Sequence, residues 1–165
     1  NSQEIMAPIL NHYDRKIQYS SLSIKRSLNF GKWTIDNSIM YQVVNQNDNI
    51  LNLPQFISRN TLYFKERIFK NTLSIQTGIN FKIFSKFYAN EYNPLISAFH
   101  VQSQKKIGGF PLFDFFFNAK IRQTKIFIIA EHINSSVSGN SFYSTPESVY
   151  RDFGVRFGFK WNLFN

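Results

Sequence analysis

From Phe153 to Leu163 every second residue is large and apolar, and the residues between them are Gly, Arg, Gly, Lys and Asn. Alternate side chains of a β-strand point to opposite faces. One face of this strand is therefore a continuous apolar strip, and the other is small, polar and cationic. The strip runs over roughly 35 Å at about 3.3 Å per residue, whereas ordinary strands have about 5–6 residues. A segment this long fits a bilayer crossing, with lipid on one side and a wet lumen on the other. The competing reading is a soluble β-protein whose strip faces a core.

The same alternation recurs upstream. A strand of about Ile17 to Asn29 carries Leu22, Ile24 and Leu28 on one face and Ser21, Ser23, Lys25 and Ser27 on the other. Phe30-Gly31-Lys32 reads as a tight turn, with Gly31 free to take positive φ. The return strand, about Trp33 to Asn45, sets Trp33, Ile35, Ile39, Tyr41 and Val43 against Thr34, Asp36, Ser38 and Gln42. After a polar loop ending at Pro54 come strands of about Gln55 to Phe69 and Thr72 to Phe87, turned at Lys70-Asn71. Strands of about Phe110 to Arg122 and Lys125 to Asn134 follow, turned at Gln123-Thr124, and the Phe153 strand ends the series.

The connections alternate in length. Those at 30–33, 69–72 and 122–125 are short, and those at 45–55, 87–110 and 134–151 are long. Membrane barrels place short turns on the periplasmic side and long loops outside. The alternation holds if 88–109 and 135–151 are extracellular loops and Phe99 to Ile107 is at most a strand within its loop. The expected fold is all-β: an antiparallel transmembrane β-barrel, with residues 1–165 forming the C-terminal part, about seven strands, of a larger barrel. An odd number and too narrow a ring argue for missing strands. The other arrangement is an eight-strand closed barrel using residues near Ile5 to Tyr13, against which Pro8 speaks.

Composition narrows the classes. With 19 Phe and 8 Tyr the chain is rich in aromatics, yet its mean hydropathy is −0.26, as half-apolar strands require. No apolar run approaches the roughly 18–20 residues of a helical span. Cys is absent, which excludes disulfides, cysteine zinc sites and thiol nucleophiles. A net charge of +9 suggests an anionic partner, but the basic residues lie along strands rather than in a tail. Nucleic acid is not expected, because aromatic and basic side chains take opposite faces, where base stacking needs them interleaved.

The lumen-lining basic residues are read as Lys25, Lys82, Lys86, Lys120, Arg122, Arg156 and Lys160, with Asp36 and Asp114 the acids among them. Such a lining attracts anions; the bland reading is that some cap a rim or pair with acids of other strands. Phe30, Trp33, Tyr41, Phe69, Trp161 and Phe164 are read as membrane-interface aromatics, with Phe110 near the outer loops. No metal site is expected, since His12, His100 and His132 have no neighbours at ligand spacing. No catalytic constellation and no cofactor motif is legible, so an enzyme is not expected.

Several short motifs in order resemble one family. Asp48-Asn49-Ile50-Leu51-Asn52-Leu53-Pro54, Tyr88-Ala89-Asn90-Glu91-Tyr92-Asn93-Pro94, Gly109-Phe110-Pro111, Phe117-Asn118-Ala119-Lys120-Ile121 and Ser144-Thr145-Pro146 resemble the "putative porin" family of the Bacteroidota. The closing stretch from Tyr150 through Phe164 is similar to that family's last strand. The resemblance implies a large barrel in the bacterial outer membrane that passes solutes, with no catalytic residues. It also implies that Phe157, Phe159, Trp161 and Phe164 form the strand recognised by the outer-membrane assembly machinery, although Asn165 departs from an aromatic terminus. The expected function is a porin-like channel for passive diffusion of small polar or anionic solutes. The other reading is a structural or plugged barrel subunit of a secretion or uptake complex. Expected partners are outer-membrane lipid, the assembly machinery and, in the second reading, other outer-membrane subunits.

Overall fold

A computed structural model of the chain describes residues 15–138 and 142–162. Long strands dominate it: β1 (Gln18–Phe30), β2 (Trp33–Asn45), β3 (Phe56–Ile68) and β4 (Leu73–Phe84). Four short strands follow, β5 (Phe87–Tyr88), β6 (Glu91–Asn93), β7 (Ala98–His100) and β8 (Lys106–Ile107). The chain continues through β9 (Leu112–Ile121), β10 (Thr124–Glu131), a single helical turn α1 (Ser135–Ser138) and β11 (Gly154–Trp161). Among the described residues no helix is long and apolar enough to cross a membrane.

The long strands form one antiparallel seven-stranded sheet in the order β1-β2-β3-β4-β9-β10-β11. The expected seven crossings are these strands. The sheet is not closed: β1 and β11 each pair on one side only among the described residues. The stretch expected to hold at most a partial strand holds two small ladders, β5 with β8 and β6 with β7.

Local chemistry explains the turns. Phe30 pairs with Trp33, leaving the two-residue loop Gly31-Lys32, with Gly31 at φ +62°. Glycine at the first central position suits a twisted two-residue hairpin. Between β3 and β4 the chain turns through Phe69, Lys70 and Asn71, all left-handed. The β9–β10 turn is Arg122-Gln123, one residue earlier than the sequence suggests, with Arg122 taking the positive φ.

Register puts most of the apolar positions of the seven long strands on one side. Leu22 faces Tyr41, Ile35 faces Leu62, Leu62 faces Ile79, Ile79 faces Phe115, and Ile128 faces Phe157. No second layer covers this side. Leu22 is 66% exposed, Phe157 83% and Phe159 74%. Domains bury such a face against another layer of structure. Buried apolar side chains are instead few: Ile107, Phe110 and Leu112 lie near the loop end of β9, and Phe116 and Ala119 further along it.

Candidate functional site: the cationic face of the sheet

The face opposite the apolar side is built in rungs across neighbouring strands. Lys25, Ser38, Arg59 and Lys82 form one rung on β1 to β4. Ser27, Asp36, Thr61, Asn80 and Asp114 form the next, from β1 to β9. The Ser27 hydroxyl donates to Asp36 Oδ1 at 2.5 Å, and Thr61 Oγ1 donates to Asn80 Oδ1 at 2.8 Å. The β1 to β3 members of these two rungs border an open cleft of about 490 Å³. At the short-turn end, Arg67, Ser74, Lys120, Lys125 and Lys160 form a further rung from β3 to β11.

Lys25, Lys82, Lys120, Arg156 and Lys160 therefore lie on the polar face by strand register. Arg122 sits in a turn and Lys86 follows the end of β4, so neither belongs to a crossing strand. Two of the set are compensated. Lys82 Nζ bonds Asp114 Oδ2 at 2.7 Å, and Arg156 pairs with Glu131. Arg151 also holds Glu131, at 3.0 Å. Arg59, Lys65, Arg67 and Lys125 share this face and escape the sequence reading. Their signal was available, since the odd positions of β3 stand opposite Leu62, Phe64 and Ile68.

Two long connections, 85–111 and the described parts of 132–153, lie against the loop end of the polar face. Phe84, on that face, packs its ring on Phe87 at 6.0 Å and on Phe110 at 6.1 Å. Phe110 stacks on Phe142 at 4.1 Å and meets Tyr150 edge-on at 5.8 Å. Phe110 is only 3% exposed, so its place is this cluster and not a lipid interface as the sequence suggests. The backbone N–H of His132 donates to Asp114 Oδ1 at 3.0 Å, and His132 Nδ1–H donates to the Arg151 carbonyl at 2.8 Å. Asn134 accepts from the Phe113 N–H at 3.1 Å and donates to the Pro111 carbonyl at 3.0 Å. The loops are thus bonded to β9 and β10 over the polar face. Outside the strands, hydrogen bonding to Glu91 raises the Glu147 carboxyl above its ordinary value, with burial and the Glu91 charge adding and His100 opposing.

Of the interface aromatics, Phe30 and Trp33 flank the first turn, Phe69 lies in the second and Trp161 ends β11; all four are exposed. Tyr41 sits toward the other end of β2 on the apolar side. Phe157, Phe159 and Trp161 line the apolar side of β11, and Phe164 lies outside the described residues. Among the described residues no group of His, Cys, Asp and Glu is arranged to hold a metal.

A family model described as "putative porin" matches residues 4–165. The chain belongs to that porin family. No curated protein and no solved structure gives a significant match to it. The porin's uncovered apolar side and its polar side are the two surfaces that an outer-membrane transport barrel requires. Membership carries a porin-like role in the outer membrane, and the antiparallel sheet of long strands is the matching architecture.

Proposed function

We propose that this porin is a passive, non-enzymatic diffusion channel for small polar solutes and that it favours anions. The observation that carries the reading is the charge balance of the polar face. Lys25, Arg59, Lys65, Arg67, Lys120 and Lys125 have no carboxylate bonded to them among the described residues, while of the acids on this face Asp114 and Glu131 are bonded to Lys82, Arg151 and Arg156, and Asp36, which accepts from Ser27, stands against several free cations. A wet passage lined by free cations raises the local anion concentration. In this reading the short turns face the periplasm and loops 88–109 and 135–151 face outside. The aromatic β11 addresses the outer-membrane assembly machinery, and the apolar side meets outer-membrane lipid. Nucleic acid is not among the proposed partners, because most aromatic side chains of the long strands lie on the side opposite the cations.

The decisive experiment is the reversal potential of the full-length chain in a planar bilayer under a KCl gradient. Anion preference gives chloride-over-potassium permeation, and replacing Lys25 and Arg59 together by Gln brings the ratio toward unity. A cation-selective pore defeats the reading. The second reading, a plugged or structural subunit of a larger outer-membrane complex, draws on the Phe110, Phe142 and Tyr150 cluster over the polar face. It predicts a silent channel that conducts once residues 132–153 are shortened.

A further inference from the structure

The short-turn end of the polar face carries a second, denser concentration of positive charge. Lys65 and Arg67 of β3 and Lys120 of β9 meet Lys70 and Arg122 of the adjoining turns around a cleft of about 430 Å³. Thr72 and Ser74 complete it with hydroxyl donors. The one nearby acid of β3, Glu66, stands on the opposite side of the sheet and pairs with Lys32. No carboxylate among the described residues bonds any of the five cations. Lys125 and Lys160 extend the same rung along β10 and β11.

Backbone conformation helps to gather these charges. Lys70 (φ 53°) and Arg122 (φ 51°) both hold left-handed backbone, which non-glycine residues rarely adopt. Both are turn residues, and both line the cleft beside the cations of β3 and β9. Strands in a sheet are about 4.8 Å apart, so Arg67 and Lys120, two strands apart, stand about 10 Å from each other. A monovalent ion engages one end of such an array. An anion with two or more phosphoryl groups engages both, with Arg forks and Lys point charges in the roles they take toward phosphate.

We propose that this cleft is a binding site for multiply charged phosphate compounds at the short-turn mouth of the lumen. The proposal rests on the porin reading for its place at a pore mouth, but binding itself does not require conduction. The same phosphate chemistry is offered by a soluble phosphorylated solute and by an anionic lipid headgroup. The cleft opens on the polar side of the sheet, which favours the soluble source.

The test is calorimetric titration of inorganic pyrophosphate into the full-length chain in nonionic detergent. Saturable binding is expected, at least tenfold tighter than for inorganic phosphate. The double variant Lys120→Gln/Arg122→Gln loses at least tenfold in affinity. The charge-conserving pair Lys120→Arg/Arg122→Lys, checked for folding by circular dichroism, retains most of it. Lys16→Gln, which removes one charge ahead of β1, leaves it unchanged. Binding that persists when zwitterionic nanodisc lipid is replaced by phosphatidylglycerol assigns the site to soluble solutes. Competition by that lipid, lost in the double variant, assigns it to the headgroup. Absence of saturable binding, or an equal loss in Lys16→Gln, overturns the proposal. An anion-selective pore without pyrophosphate binding refutes this site alone, and binding to a silent barrel refutes the channel alone.

Discussion

Arg26 is the one charged side chain in the middle of the apolar side of β1, where Leu22, Ile24 and Leu28 are its neighbours in phase. It faces Asn37 of β2, which in turn faces Asn60 of β3, so a polar track crosses three strands. Asn60 Nδ2 donates to Ser58 Oγ at 2.8 Å, but Arg26 has no carboxylate bonded to it among the described residues. A lipid-facing Arg costs about 2–4 kcal/mol at the midplane of a bilayer and about 0–1 near its interfaces. Arg26 lies two rungs from the Phe30–Trp33 turn, so Arg26→Leu is expected to stabilise the barrel by about 1–2 kcal/mol. Urea unfolding in phospholipid vesicles measures this, and an unchanged midpoint would mean that Arg26 does not meet hydrocarbon. Gly78 makes the opposite case. It faces Tyr63 across the β3–β4 ladder, and a Cβ there would stand 2.7 Å from the Tyr63 Cα. The two backbones approach too closely for any side chain. Gly78→Ala should cost about 1–3 kcal/mol in the same assay. Gly154, where a Cβ meets nothing, should tolerate Ala with little loss.

At the scale of elements, alternation located the strands and missed where they end. β2 has the bounds that its pattern suggests, and β1 is displaced by one residue, because Gly31 and the phase of Phe30 and Trp33 mark the turn locally. β4 stops at Phe84 although the apolar pattern runs on to Phe87. Phe87 and Tyr88 pair with Ile107 and Lys106 instead, and Gly109 N–H bonds the Phe84 carbonyl. β10 likewise ends at Glu131, because His132 turns left-handed and its N–H goes to Asp114. Partners far along the chain decide such boundaries, so a local pattern does not display them. The two outer connections also make a titratable contact. The Glu147 carboxyl is raised by its hydrogen bond to Glu91 of β6, beside His100, whose Nε2 lies 3.6 Å from Glu91. A group raised in the folded state contributes stability below its ordinary value and loses it as pH rises through the folded one. The 85–111 and 132–153 connections should therefore separate as pH climbs above the usual carboxylate range. Hydrogen exchange at residues 142–150, corrected for intrinsic rates, should show the loosening, and Glu147→Gln should abolish its pH dependence.

For the whole molecule, the consequence of one uncovered apolar side is a period-two pattern of access around the barrel. The chain has no Cys, so single introduced cysteines report cleanly. At Ile79, Phe117 and Ile128, on the apolar side, they should react with a probe dissolved in lipid and resist an aqueous maleimide. At Asn80, Asn118 and Thr61, on the polar side, the preference should reverse. Equal aqueous labelling on both sides would exclude a membrane barrel.

What the amino-acid order determined by itself is this two-sidedness: a strand's side chains alternate by geometry, so the spacing of Phe153, Val155, Phe157 and Phe159 names a face without any knowledge of neighbours. Hairpin order followed from the short turns. The tertiary structure alone decided which cations are free. Lys82 and Arg156 looked like Lys25 and Lys120 in sequence, and only cross-strand register and loop closure brought Asp114 and Glu131 against them. The same holds for the rung of Arg67, Lys120, Lys125 and Lys160, whose members are scattered over β3 to β11 and meet only because hydrogen bonding places one strand beside the next.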